Sequence, residues 1–269
     1  MKLSRIATLS SSLLLAVGLA LTGANAAQAA QQATPTGYVA LGDSYSSGVG
    51  SGSYDSASGN CLRSTRAYPA LWAAAHSPSS FHFAACSGAR TGDVLSGQLS
   101  SLGTSTGLVS LTIGGNDAGF ADTMTTCVLQ SQSSCLSRLA TANSYIDSTL
   151  PGLLDQVYSA ITARAPAAHV VVLGYPRFYE LNGSCIAGLS ETERSAINAA
   201  SDHLNSVTAK RALDHGFAFG SVTSAFAGHE ICSGSSWLHS VNLFNLTESY
   251  HPTAAGQSGG YLPVLNAED

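Results

Sequence analysis

Val170-Val171-Val172-Leu173 is apolar at every position, so a strand built from it has neither face to offer to water. Such a run belongs inside a parallel sheet covered by helices on both sides, because an antiparallel sheet with one wet face shows alternation instead. Tyr38–Leu41, Phe81–Ala85 and Leu108–Ile113 read as three earlier, less continuous strands, and Phe217–Val222 is a weaker fifth. Between the third and fourth runs, Leu150, Leu153, Leu154, Val157 and Ile161 recur at helical spacing on one face. After the fourth, Ser190 followed by Glu193 forms a capping box. The helix it opens buries Ile197, Leu204 and Val207 and stops near Gly216. Strands alternating with helices predict an α/β fold around a parallel sheet. The chain has 269 residues, 45% hydrophobic and 10% charged, which is enough for one large core and too apolar for disorder.

The N-terminal segment stands outside that pattern. Lys2 and Arg5 precede an apolar stretch that ends in the small-residue sites Ala24-Asn25-Ala26 and Ala27-Gln28-Ala29. Residues 1–29 therefore read as a secretory signal peptide, with cleavage after Ala29 or as far on as about residue 33. A short polar leader (30–37) and a single domain (38–269) follow. No later run approaches the ~20 apolar residues that a spanning helix needs, so no integral membrane segment is expected. Removing the leader leaves nine basic against sixteen acidic residues, a net charge of −7. That balance excludes a nucleic-acid partner and a polybasic lipid anchor. All six cysteines lie beyond residue 29, and an even number in an exported chain reads as three disulfides. The expectation, out of fifteen possible connectivities, is neighbour-to-neighbour pairing: Cys61–Cys86, Cys127–Cys135 and Cys185–Cys232. A Cys-x-x-Cys zinc spacing is missing.

The turns after the strands carry the chemistry. The first strand runs into Gly42-Asp43-Ser44, the second into Cys86-Ser87-Gly88, and the third into Gly114-Gly115-Asn116-Asp117. In an open parallel sheet these ends share one edge, where ligands bind. A hydroxyl, a glycine amide and a carboxamide meeting there are the parts of an acyl-transfer site. The hydroxyl needs a base. Of eight histidines, His251, in Glu248-Ser249-Tyr250-His251-Pro252, is the one placed ahead of a C-terminal helix start. His76, His82, His169, His203, His215, His229 and His239 read as surface or structural residues.

These four blocks, in this order and over essentially the whole chain after the leader, resemble the SGNH (GDSL-type) hydrolases. The stretch Gly42-Asp43-Ser44-Tyr45-Ser46-Ser47-Gly48, with a signal peptide and three disulfides, is similar to their secreted actinobacterial lipases and phospholipases. The resemblance implies a flavodoxin-like three-layer α/β/α sandwich with a five-stranded parallel sheet. It also implies a phospholipase A1-like or glyceride-cleaving ester hydrolase. The signal peptide places it outside the cell, and a monomer is expected. Ser44 would be the nucleophile and His251 the base. The oxyanion donors would be the Ser44 and Gly88 N–H groups and the Asn116 side chain. The family usually has Asp three residues before the histidine, and here that residue is Glu248. Some secreted members orient the ring with a main-chain carbonyl two residues before it, which here is that of Ser249. Both remain open.

Other readings are weaker. A carbohydrate acetyl esterase of the same fold has the same catalytic parts, and a non-catalytic lipid-binding module has no need of them. Gly103-Thr104-Ser105-Thr106-Gly107 and Gly256-Gln257-Ser258-Gly259-Gly260 spell the α/β-hydrolase elbow, but the first precedes a strand and the second has only eleven residues after its serine, too few for that fold's later acid and histidine, so both read as loops. Gly48, Gly50 and Gly52 lack the nucleotide-loop spacing. Asp43 and Asp117 lack a calcium-loop pattern or a His/Asp cluster, so neither metal nor cofactor is expected. The stretch around Cys127 and Cys135 is the candidate for a movable loop over the site.

Overall fold

A computed structural model describes residues 37–185 and 188–269, so the leader expected over 1–29 and most of the segment after it lie outside the described residues. Five strands form one parallel sheet: β1 (Gly37–Gly42), β2 (Phe81–Phe83), β3 (Thr106–Thr112), β4 (His169–Leu173) and β5 (Ala218–Gly220). Their order is β2-β1-β3-β4-β5. All six residues of β1 are buried, as are Val170 to Leu173 of β4. A central parallel strand with both faces covered requires this.

The helices are α1 (Ser44–Ser47), α2 (Tyr68–His76), α3 (Thr91–Asp93), α4 (Phe120–Leu129), α5 (Gln132–Ser148), α6 (Leu150–Arg164), α7 (Glu191–Asp214) and α8 (Leu262–Glu268). Parallel crossovers are right-handed. The chain moves one way from β1 to β2 and the other way from β3 through β4 to β5, so the connecting helices fall on opposite faces. α2 packs with α8 on one side, while α6, α7 and α5 pack together on the other. The result is a three-layer α/β/α sandwich.

The element boundaries show where local pattern yields to context. β2 stops at Phe83 because Ala84 and Ala85 both donate to the single carbonyl of Ala40. β5 shrinks from the expected Phe217–Val222 to three residues. The capping box is in place: Ser190 accepts from the Glu193 N–H, and the Glu193 carboxylate accepts from Ser190 N–H. Losing such a cap costs about 1 kcal/mol. Ile197 and Leu204 are buried, while Val207 is half-buried.

The disulfides are Cys61–Cys86, Cys127–Cys135 and Cys185–Cys232. The stretch around Cys127 and Cys135 is not a loop. Cys127 is in α4 and Cys135 in α5, so the bond clamps a helical hairpin whose turn is capped by Ser131. The two elbow-like segments also resolve. Gly103-Thr104-Ser105 is the turn before β3, and Gly256–Tyr261 is a helical turn leading into α8 rather than a loop.

Candidate active site

β1 ends at Gly42, whose φ of +117° excludes a β-carbon; one placed there would lie 2.4 Å from the Thr112 carbonyl oxygen. The chain turns at Asp43, which caps α1 by accepting from the Tyr45 N–H at 3.0 Å. Ser44, the first residue of that one-turn helix, is thereby set at the carboxyl edge of the sheet. The Asp43 carboxylate is buried and also accepts from Thr112 Oγ1 at 2.6 Å and from the Tyr175 hydroxyl at 2.5 Å. Burial raises its pKa to about 6, against the lowering effect of those three bonds. Asp43 is therefore a buried brace beneath the serine. Tyr175, which nothing in the sequence singled out, accepts in turn from the Gly115 N–H at 3.2 Å, so one hydroxyl ties the Ser44 turn to the loop after β3.

His251 lies 207 residues further on, with Nε2 2.7 Å from Ser44 Oγ. Its Nδ1 is 3.0 Å from the Ser249 carbonyl. A carbonyl only accepts, so Nδ1 carries the proton and Nε2 presents its lone pair to the serine hydroxyl. Glu248 faces away: its Oε1 accepts from the Tyr54 hydroxyl at 2.8 Å, which accepts from Gly50 N–H at 2.9 Å. Burial lowers the His251 pKa to about 4, with His239 adding repulsion and the Ser249 carbonyl opposing. The ring is neutral at pH 7.

Several residues hold this histidine in place. Tyr250, immediately before it, has φ of +65°, a conformation that costs a non-glycine residue roughly 1–2 kcal/mol. Its ring packs edge-on against Phe120, Phe178 and Tyr179, and its hydroxyl accepts from that of Tyr179 at 3.0 Å. The Tyr45 hydroxyl donates to the Tyr250 carbonyl at 2.6 Å, fastening the histidine loop to α1. His239 pairs through its backbone with Tyr250 and His251, and its Nε2–H donates to the Gly50 carbonyl. Gly50, one of three glycines that look like a nucleotide loop, is needed for close approach. A β-carbon there would lie 2.7 Å from the Pro252 carbonyl oxygen and 3.0 Å from His251 Cβ. His76, His169, His203, His215 and His229 each bond a backbone carbonyl or an aspartate, and His82 is exposed on β2.

Two loops bring the hydrogen-bond donors. The Gly88 and Ser44 N–H groups have no acceptor among the described residues. The Asn116 amide spends one N–H on the Ala89 carbonyl at 3.0 Å, which fixes its plane and leaves the other N–H free. The Asp117 carboxylate accepts from the Thr91 N–H and hydroxyl, so the loops carrying Gly88 and Asn116 are stitched together. The Cys61–Cys86 bond anchors the first of them, and the Cys61 carbonyl accepts from Ser87 N–H.

Ser44, Gly88, Asn116 and His251 all line one cavity of about 540 Å³. Its walls come from α4, α5 and α7, with Met124, Leu139, Ile146, Ile197 and Leu204 among them. The only carboxylate in its lining is Asp43, and no lysine or arginine lines it among the described residues. A hydroxyl in contact with a neutral imidazole, beside unpaired donors and an apolar chamber, can carry out acyl transfer on a substrate with a long apolar arm.

A family model described as the GDSL-like lipase/acylhydrolase family matches residues 40–258. Lipase 1 of Streptomyces coelicolor is 73% identical over 266 residues, covering 99% of each chain. The crystal structure of phospholipase A1 from Streptomyces albidoflavus NA297 superposes with a TM-score of 0.86 at 68% identity, covering 87% of this chain and all of that one. The extracellular lipase of Streptomyces rimosus superposes at 0.85 and 69% identity, with the same coverage.

Proposed function

The chain belongs to the GDSL-like lipase/acylhydrolase family and is a carboxylic ester hydrolase, and we propose that it is an exported enzyme that releases fatty acids from phospholipids, with Ser44 as nucleophile. The observation that carries this reading is the 2.7 Å contact between Ser44 Oγ and a neutral His251 at the edge of an apolar cavity. His251 Nε2 takes the serine proton as Oγ attacks the acyl carbonyl. The tetrahedral oxyanion is held by the Ser44 N–H, the Gly88 N–H and the free N–H of Asn116. On collapse, the imidazolium gives its proton to the leaving glycerol oxygen, and water repeats the cycle on the acyl-serine. The Ser249 carbonyl keeps the required tautomer, so the serine and histidine work as a dyad. The signal-peptide pattern of residues 1–29 and the three disulfides support export.

The test uses a phosphatidylcholine with different acyl chains at its two positions. Wild type is expected to release mainly the sn-1 chain, and Ser44→Ala neither chain. Release of the sn-2 chain would overturn the A1 assignment. Failure on phospholipid with turnover of glycerides would make the enzyme a lipase in the narrow sense.

The His251 geometry sets two further outcomes. Glu248→Ala is expected to keep kcat within tenfold of wild type, because its carboxylate serves Tyr54 and not the imidazole. A loss near 10⁴, the scale of a disabled triad acid, would restore Glu248 as the orienting group. The base works only when neutral, so kcat/KM falls as pH drops through the free-enzyme pKa. With that value lowered to about 4 by burial, the acid limb belongs near pH 4. A limb near 6.5 in a pH series would show that burial does not control the base.

A further inference from the structure

Of the seven large apolar side chains that the described surface leaves exposed, Leu181 and Leu213 stand apart from the cavity, and the other five belong together. Phe244, Leu243, Leu129, Leu246 and Val128 come from two segments 114 or more residues apart, at relative exposures of 103%, 80%, 75%, 67% and 38%. Val128, Leu129, Leu243 and Leu246 also line the cavity that reaches Ser44. They form its rim, and Phe244, next to Leu243 in the chain, is fully exposed.

The rim is built rather than loose. The Asn242 side-chain oxygen accepts from the Phe244 and Asn245 N–H groups at 3.1 and 3.2 Å, and the Asn242 N–H donates to Ser249 Oγ at 2.9 Å. That braced turn holds Leu243 and Phe244 outward. On the other side, the Cys127–Cys135 bond fixes the end of α4 that bears Val128 and Leu129. Neither segment is charged: residues 123–137 and 231–247 contain no Asp, Glu, Lys or Arg. Elsewhere on a soluble chain, braced exposure of this kind is a cost without return.

We propose that this uncharged rim is the face on which the enzyme seats on a neutral lipid surface, a zwitterionic bilayer or micelle. Continuity with the cavity favours lipid over protein. A folded partner or a second copy resting on the rim would stopper the route to Ser44, whereas a lipid layer lying against it supplies the acyl chain that the cavity accommodates. The absence of basic residues, with a net charge of −7 after the leader, removes attraction to anionic headgroups and makes apolar burial the source of binding. The proposal rests on the lipid-ester reading above only for the identity of the surface.

Binding is measured on the Ser44→Ala protein by flotation with phosphatidylcholine vesicles. Phe244→Ser in that background is expected to weaken binding about tenfold, as expected when one large apolar side chain is no longer buried. The partition of the parent should change little between low and high salt. Phe244→Trp should bind like the parent and shift its emission to the blue when vesicles are added. With Ser44 intact, Phe244→Ser should turn over a soluble short-chain ester like wild type and hydrolyse vesicle phospholipid about tenfold more slowly. Equal vesicle binding by the Ser variant, or an unshifted Trp emission, would overturn the proposal. So would a lipid-free wild-type dimer that Phe244→Ser dissolves, since it would assign the rim to a second copy. Failure of wild type on the soluble ester would instead count against the hydrolase reading, whatever the vesicles show.

Discussion

Ser44→Ala and His251→Ala should each lower kcat by roughly 10⁵–10⁶, and the double variant should be no worse than either alone. Both groups serve one event, transfer of the Oγ proton across a 2.7 Å contact, so removing either removes all of it. Rate remaining above the uncatalysed reaction would come from the donors and from binding, which neither substitution touches. The check is a kinetic cycle on a soluble ester, with melting temperatures to show that the fold survives. Additive losses across the cycle would mean that the two residues act separately, and the dyad would be wrong.

The second large effect belongs to Asn116→Ala, which should cost 10²–10³ in kcat with KM little changed. An oxyanion donor acts on charge that exists only in the transition state, so ground-state binding has little to lose. The effect is large here because the free N–H faces a cavity with mostly apolar walls, where an electrostatic contact is worth more than in bulk water. The same substitution frees the Ala89 carbonyl, and the Asp117–Thr91 bonds still hold the two loops together. Unchanged kcat would remove Asn116 from the oxyanion site. A collapsed melting temperature would show that its bond to Ala89 carries the fold.

The parallel sheet was legible because burial on both faces writes itself into consecutive residues, as at Val170–Leu173. α6 and α7 were legible through spacing and a capping box. α5 was not, although Cys135, Leu139, Ala142 and Ile146 are buried at helical intervals. A cysteine and an alanine stand in that stripe among many serines, and the pattern thins below recognition. Of the site, the residues at strand ends could be read, because topology alone brings them to one edge. The braces could not. Tyr175 reaches Asp43 across 132 residues, and Tyr45 reaches the Tyr250 carbonyl across 205. A lone tyrosine has no local signature that says which distant atom its hydroxyl will meet. Which of Glu248 and the Ser249 carbonyl faces the imidazole also depends on a single loop conformation, with Tyr250 in the left-handed region, that composition does not encode.

That loop has a consequence for how the enzyme can change. The acceptor for His251 Nδ1 is part of the polypeptide itself, so every residue that can stand at 249 supplies it. Ser249→Ala would release Asn242 from its hydroxyl and leave the acceptor in place. A systematic replacement of side chains would therefore recover a serine and a histidine and find no third partner, however thoroughly it was done. Only main-chain chemistry can probe that partner, for example an amide-to-ester exchange that makes the carbonyl a poorer acceptor. In inheritance, for a dyad, the same fact works as a safeguard: a side-chain substitution at 249 leaves the carbonyl in place, and the carboxylate at 248 answers to Tyr54 rather than to the imidazole.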